Sequence, residues 1–437
     1  MALKKILIIT YYWPPAGGPG VQRWLKFAKY LPENGWTPTV FTPDNPSYPI
    51  VDDTLEKEVS KDLQIIKTKI WEPYQLAEIF GKENKKFKAG QFDVGTNQNW
   101  KSRLSIWVRG NFFIPDARVF WVKPSVKYLR KYLEENDFNA IVTTGPPHSL
   151  HLIGLELKKT FPKLTWIADF RDPWTEISYY RHLKLTPAAD RKHRKLEKQV
   201  FEGADIILAT SYTDAENFRK KGANSFCITN GFDGMATSNR VRNQKFTLSY
   251  IGVLEQLRNP EILWDVLEDL IKNDMEFRSK FELKFVGRID DKILSHIDTL
   301  ELNKYVRNLG YLNHAASQNE MQSSDLLLIT NFPDEQSRGI IPGKIFEYLA
   351  TGNSILSFGP ENSDVMSILN DTGAGRHFPY HVTPSEIKQF ILSEFNKWKD
   401  SDEVPAESRE VSKFSRKKLT EQLAKLLDSS VGDQLSR

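Results

Sequence analysis

Lys344 and Glu347 stand three residues apart in the stretch IPGKIFEYLATG, where Pro342 suits the first turn of a helix and Gly352 its end. No Ser, Thr, Asp or Asn immediately precedes the proline, so the free amides of that helix end want an acceptor. A phosphate would satisfy them, and Lys344 adds a point charge of the right sign. Glu347, on the same helical face, offers two acceptor oxygens suited to the cis-diol of a ribose. Together these groups describe a nucleoside diphosphate site. Taken alone, the pair is equally an i,i+3 surface ion pair contributing a few tenths of a kcal/mol.

Three other stretches carry groups of comparable promise. In YYWPPAGGPGVQRW, Gly17, Gly18 and Gly20 fall directly before a helical stripe, where bare backbone lets amides approach a ligand and the helix start favours negative charge. The turn could hold a phosphate or diphosphate. Arg23, however, stands where a dinucleotide fingerprint has its third glycine, and no Gly-Lys-Ser/Thr follows as in a P-loop. A purely structural turn has the same composition. In TTGPPHSLHLIG, Thr143, Thr144 and Gly145 end a strand, and His148 or His151 opens a helix. Residues at the carboxyl ends of parallel strands face the crevice where α/β proteins bind ligands, so His148 is a candidate, although a histidine there also serves as a helix cap. In WIADFRDPW, Asp169, Arg171 and Asp172 follow an apolar strand. Asp172 could take a proton or hold a sugar hydroxyl; the alternative is an ion pair with a neighbouring arginine and a cap on the turn that Pro173 begins.

These groups need elements to hold them. Short apolar runs alternate with amphipathic stretches, the pattern of parallel α/β sheets covered on both faces. KKILIIT, TPTVFT, NAIVTTG, LTWIADF and ADIILAT are the predicted strands of a first series, and Val21, Trp24, Leu25, Ala28 and Leu31 form a helical stripe between the first two. After ITNGFD a second series follows: TLSYIGV, FELKFVG, YVRNLGY, DLLLITN and SILSFG. The polar, aperiodic GMATSNRVRNQK marks a boundary near residues 234 to 245. The expected organisation is a first α/β domain over 1–234, a second over 245–405 and a helical tail over 406–437. Residues 45–125 fit the α/β rhythm badly and are predicted to be an insertion. There Lys and Arg interleave with Trp and Phe in WKSRLSIWVRGNFFIPDARVFWVKP, a mixture suited either to an anionic membrane surface or to ordinary packing of surface helices.

A chain of 437 residues exceeds one ordinary core, and 40% hydrophobic with 27% charged residues describes a folded protein rather than a disordered one. Lys+Arg 60 against Asp+Glu 56, a formal net charge of +4, argues against a general nucleic-acid binder. The one cysteine, Cys227, rules out an internal disulfide and a multi-cysteine metal cluster, which suits a reducing, cytoplasmic setting. No run approaches the roughly 20 apolar residues of a bilayer span, so any membrane attachment is expected to be peripheral, at the inner face of the cell membrane.

In their order and spacing, YYWPPAGGPGVQR, TTGPPHS, ADFRDPW, ITNGFD, SYIGVLEQLRNPEIL and IPGKIFEYLATGNSIL resemble a nucleotide-sugar-dependent glycosyltransferase of family four, over nearly the whole chain apart from the insertion. The resemblance implies an α/β GT-B fold: two Rossmann-like domains with parallel sheets facing across a cleft, the acceptor on the first, the activated sugar on the second, and a C-terminal helix returning to the first. It implies transfer of a glycosyl group, with retention of configuration, from a UDP- or GDP-sugar to a glycan or lipid-linked acceptor in cell-surface polysaccharide biosynthesis. Neither a metal nor another cofactor is implied, and no nucleic acid partner. Alternatives are a nucleotide-sugar epimerase or hydrolase on the same fold, and a non-catalytic nucleotide-sugar-binding partner in polysaccharide assembly.

The family's Glu-x7-Glu motif puts its ribose ligand at Glu347, but the first acid, which contacts the donor sugar, falls on Gly339. Backbone amides over Gly339, Ile340 and Ile341 are left to contribute. Of the family's diphosphate-binding Arg and Lys, the first place falls on Val253 and the second on Arg258, so Lys344 is expected to supply the missing charge. The resemblance thus assigns Arg258, Lys344, the helix start over Pro342, Gly343 and Lys344, and the loop of Gly17, Gly18 and Gly20 to the diphosphate, whose departing charge must be stabilised. His148 is implied to contact the donor sugar, and Asp172 to orient the acceptor hydroxyl or stay structural.

Overall fold

The computed structural model describes residues 4–72, 100–177, 180–234, 243–400 and 410–435. The chain divides into two compact units, unit 1 comprising Met1–Thr229 and Arg416–Arg437, and unit 2 comprising Asn230–Ser415.

Unit 1 is built on a parallel sheet in the order β3-β2-β1-β4-β5-β6-β7. Its strands are β1 (Lys4–Ile9), β2 (Trp36–Pro43), β3 (Gln64–Thr68), β4 (Ala140–Gly145), β5 (Thr165–Phe170), β6 (Ile206–Ala209) and β7 (Ser225–Cys227). The helices are α1 (Pro19–Tyr30), α2 (Trp100–Phe112), α3 (Val119–Glu135), α4 (Ser149–Thr160), α5 (Pro187–Gly203) and α6 (Tyr212–Lys220). Alternation along β1 feeds two cores: Leu7 and Ile9 join Trp121 and Trp166 under one face, while Ile6 and Ile8 join Trp24 and Trp36 under the other. Strands β4, β5 and β6 are buried at every position, which is why each carries a continuous apolar stretch, Ala140–Val142, Trp166–Ala168 and Ile206–Ala209.

Unit 2 has the sheet order β10-β9-β8-β11-β12-β13. Its strands are β8 (Phe246–Ile251), β9 (Phe281–Val286), β10 (Val306–Asn308), β11 (Leu326–Thr330), β12 (Ser354–Phe358) and β13 (Gly375–Phe378). Around them lie α7 (Glu261–Asn273), α8 (Met275–Lys280), α9 (Asp291–Thr299), α10 (His314–Gln322), α11 (Lys344–Thr351), α12 (Asp364–Thr372) and α13 (Pro384–Asp400). In each sheet the first strand of the unit sits in the interior, β1 between β2 and β4, β8 between β9 and β11. The winding direction reverses there, so the loops after those strands part and leave a crevice at their carboxyl ends.

The stretch 45–125 is not simply an insertion. Strand β3 pairs with β2 and extends the sheet, and α3 leads into β4 while burying Trp121, Val126 and Leu129. Its β3 was illegible because an edge strand is only half covered, so QIIKT carries no apolar run. Residues 73–99 of that stretch lie outside the described residues.

The chain leaves unit 1 at Thr229, a few residues before the polar 234–245 segment, because Phe232 already packs with Val411 and Phe414 in a unit 2 core, its amide bonded to the Phe414 carbonyl at 3.2 Å. Composition marks where chain is exposed, not where it changes core. The tail helix α14 (Arg416–Leu435) belongs to unit 1, with Leu419, Leu423 and Leu427 in the core that holds Trp24 and Leu25. Asp428 at its far end accepts from Lys4 Nζ at 2.8 Å and Trp36 Nε1 at 3.0 Å. Among the described residues, no helix is long and apolar enough to cross a membrane.

Candidate functional site

In unit 2 the groups gather at the reversal of winding. Strand β8 ends at Ile251, and Gly252 turns the chain with φ 130°, a conformation that favours glycine. Lys344, the first residue of α11, sends Nζ to the Ile251 carbonyl at 3.0 Å and 4.0 Å from the centre of the Tyr250 ring. Arg258, closing the short turn Gln256–Arg258, donates through Nη2 to the Val253 carbonyl at 2.9 Å and lies 5.4 Å over the Phe332 ring. Its nearest carboxylate oxygen, on Glu255, is 3.6 Å away, and its Nε is buried without a hydrogen-bond partner. Burial pulls the Lys344 ammonium down to about 7; the Arg258 charge pushes the same way, and Glu347 opposes. Two cations are therefore held close together chiefly by carbonyl oxygens, an arrangement that an incoming dianion would relieve.

The start of α11 supports this reading with one correction. Gly343 takes the cap position with no side-chain bond, and Gly352 ends the helix at φ 72°. The Ile345 and Phe346 amides fold back onto the Pro342 and Gly343 carbonyls at 3.0 and 3.3 Å, while those of Gly343 and Lys344 meet no acceptor among the described residues. Pro342 has no N–H to give, so the expected donors begin at Gly343. In the segment over Gly339, Ile340 and Ile341, the Ile340 amide is also taken, by the Ser337 carbonyl at 2.9 Å, and its carbonyl accepts from Asn331 Nδ2 at 2.7 Å. Lys344 does not close the surface pair with Glu347; that carboxylate lies half-buried in the first turn of α11, 3.9 Å from His314 Nε2 on α10.

Unit 1 carries the other candidates, and most of its charge is spent internally. Asp169, on β5, is fully buried and accepts from Arg23 Nη2 at 2.9 Å, Trp24 Nε1 at 2.7 Å and Thr144 Oγ1 at 2.9 Å. Arg23 also donates to the Thr229 carbonyl at 3.0 Å, so it stands in the third-glycine place as a structural tie from α1 to the sheet. The glycine turn is likewise built in. Gly17 donates its amide to the Ile50 carbonyl at 2.9 Å, Gly18 needs φ 98°, and the guanidinium of Arg171 fills the space a side chain at Gly20 would need. Arg171 is fixed there by the Gly145 carbonyl, 3.3 Å from Nε, and by the Pro146 carbonyl.

His148 follows β4 and is buried, stacked on Trp174 with ring centres 5.2 Å apart and planes 4° from parallel. Neither of its ring nitrogens has a partner, and burial holds its pKa well below the usual histidine value. His151 bonds Thr143 Oγ1 through Nδ1 at 2.9 Å, and burial takes it down to about 3. The expected cap role falls elsewhere: Asp116 accepts from the Ser149 amide at 2.9 Å and its hydroxyl at 2.8 Å, so α4 is capped from 33 residues upstream. Asp172 is exposed and forms no ion pair among the described residues.

One constellation had no signal in the sequence. Glu72 is fully buried, accepts from Tyr11 Oη at 2.9 Å and the Ser47 amide at 2.8 Å, and pairs with Arg118 Nε at 3.1 Å. It anchors the chain just beyond β1, using residues 61 and 46 positions apart that only the fold brings together. Among the described residues, no group of three His, Cys, Asp or Glu is placed to hold a metal ion.

No family model and no curated protein matches the chain. Solved structures do. Sucrose-phosphate synthase from Thermosynechococcus elongatus superposes with a TM-score of 0.59 at 13% identity, covering 98% of each chain. HepE of Anabaena, solved with UDP, gives 0.57 at 13% identity over 98% of this chain and all of that one. A TarM variant from S. aureus, solved with fondaparinux, α-GlcNAc-glycerol and UDP, gives 0.59 at 12% identity over 97% of this chain and all of that one. At such identities the likeness speaks for the fold: two Rossmann-like domains on parallel sheets, the GT-B architecture of these glycosyltransferases.

Proposed function

We propose that this chain is a retaining glycosyltransferase that moves a sugar from a nucleotide diphosphate sugar to a glycan or lipid-linked acceptor in cell-surface polysaccharide biosynthesis. The observation that carries it is the pair of cations, Arg258 and Lys344, held on the carbonyls of Val253 and Ile251 beside the open Gly343 and Lys344 amides. As the bond from anomeric carbon to diphosphate oxygen breaks, its electron pair stays on that oxygen. These four donors are aimed where the charge accumulates. The protein's own cations do this work, so the reaction is assigned no metal. Glu347 holds the ribose diol, and the UDP bound in HepE and TarM favours a uridine nucleotide. His148, neutral and with both nitrogens unspent, is assigned to the donor sugar, and Asp172 to the acceptor hydroxyl. Retention rests on the resemblance in motif order.

A membrane-bound acceptor is the favoured kind. Phe112, Phe120, Trp71 and Tyr128 are exposed, Trp71 and Phe120 meet edge to face at 4.8 Å, and Lys123 and Lys127 stand exposed on the same helix as Phe120. Co-sedimentation with anionic vesicles at low salt is expected; its absence removes the membrane from the proposal.

The donor assignment is tested by Lys344→Ala and Glu347→Ala, with UDP affinity read by calorimetry and UDP release from UDP-sugars read by a coupled assay. Each loses a charged hydrogen bond at a partly desolvated site, about 1.5–3 kcal/mol or roughly 10- to 150-fold. If both variants stay within twofold of the parent, the proposal is wrong. Product analysis separates transfer from epimerisation or hydrolysis, and a protein that binds UDP without turnover is the non-catalytic partner.

A further inference from the structure

We infer that Tyr380 is a positioning residue of the donor site, its hydroxyl setting the place of Arg258; the inference rests on the donor reading proposed above. Strand β13 ends at Phe378, because Pro379 has no N–H to carry the ladder on. The chain turns there, with the Val382 amide on the Pro379 carbonyl at 3.1 Å. Tyr380 thus leaves the edge of the sheet and reaches back over its carboxyl end. Its ring lies 5.8 Å from that of Phe358, the last residue of β12, and joins the unit 2 core. Its hydroxyl meets the loops that follow β11 and β8, strands two and three places away in the sheet. It donates to the Asn331 carbonyl at 2.7 Å and the Arg258 carbonyl at 3.1 Å, one hydrogen shared between two acceptors. Burial pushes this phenol up, against the pull of the Arg258 charge, so the hydrogen stays in place at neutral pH.

The two acceptors hold Arg258 from both of its ends. One is its own backbone. The other belongs to Asn331, which directly precedes Phe332, the ring 5.4 Å from the Arg258 guanidinium. Asn331 is a fixed post: it is 2% exposed, its amide bonds the Phe358 carbonyl at 2.8 Å, and its Nδ2 bonds the Ile340 carbonyl at 2.7 Å. Such a tie has a force to oppose, since the Arg258 charge presses on that of Lys344. The other bonds of Arg258 among the described residues stay within its own loop, to Val253 and Glu255, and would move with it. The phenol and the Phe332 ring join it to a different element. Removing the hydroxyl alone leaves the ring packed on Phe358 and loosens only the tie.

The test uses the full chain and UDP, read by calorimetry, with Tyr380→Phe, Arg258→Ala and the double variant. Tyr380→Phe is expected to weaken UDP binding about fivefold, the worth of one net hydrogen bond. In the Arg258→Ala background the same substitution is expected to change affinity by less than about twofold, since no guanidinium remains to be placed. A hydroxyl that merely serves the fold would act equally in both backgrounds. An effect below about twofold in Tyr380→Phe, or an equal loss in the two backgrounds, overturns the positioning role and leaves the donor reading standing. If the parent does not bind UDP, or Arg258→Ala stays within about twofold of it, the donor reading falls and this inference with it.

Discussion

Each unit reverses its winding at an interior strand and places cations beside it, but the two use that charge in opposite ways. In unit 1, Arg23 is sealed: its side chain is 2% exposed and its carboxylate partner, Asp169, is at 0%. In unit 2, Lys344 rests on a backbone carbonyl and feels Arg258, while Arg258 rests on another carbonyl with only the half-exposed Glu255 carboxylate 3.6 Å away and keeps its Nε unspent. A cation neutralised by a buried carboxylate is part of the scaffold. Lys344, held by dipoles and with its own pKa depressed, is poised for an anion. Position at the carboxyl end of a strand therefore does not make a charged residue functional; what decides is whether its partner is another protein charge.

The contrast can be broken most forcefully in unit 1. Asp169→Ala leaves Arg23 buried with no counter-charge and is expected to cost about 3–5 kcal/mol of stability. Chemical denaturation checks this, and a loss below about 1 kcal/mol would mean that Arg23 reaches water and that the sealed half of the comparison is mistaken.

A smaller effect sharpens the other half. With Lys344 at about 7 in the free protein, a bound diphosphate favours the charged form and raises that value. UDP affinity is thus full below the free value and declines as pH rises through it, by at most about tenfold per unit. Calorimetry between about pH 7 and 9 should show the decline in the parent and a flatter profile in Lys344→Ala. Equal slopes in the two proteins would remove Lys344 from the diphosphate.

The smallest expected effect is on stability. A depressed ammonium is one the folded state holds against its preference, so Lys344→Met should raise the melting temperature of the nucleotide-free protein by about 2 °C. The same substitution in a scaffold cation such as Arg23 should lower it. A fall in Lys344→Met would show that the lysine serves the fold.

Much of the architecture was legible because buried parallel strands announce themselves. NAIVTTG, LTWIADF, ADIILAT and TLSYIGV carry continuous apolar stretches for the plain reason that both of their faces are covered. The strands that went unread, β3, β7 and β13, are all at sheet edges, where half-coverage permits QIIKT, SFC and GRHF. The site was legible in part. The uncapped helix start at Gly343 followed from the lack of a capping side chain, whereas nothing in ADFRDPW told the sealed Asp169 from the exposed Asp172.

Local chemistry by itself fixed the α/β alternation, the presence of the helix that carries Lys344 and Glu347 and the glycine that ends it, because strand burial and helix termini depend on residues near one another in the chain. Which charges became scaffold was settled only in three dimensions. Arg23 met Asp169, Glu72 met Arg118, and Asp116 met Ser149 across dozens of intervening residues. The energy of a buried charge depends on what stands within a few ångströms of it, and chain distance says nothing of that.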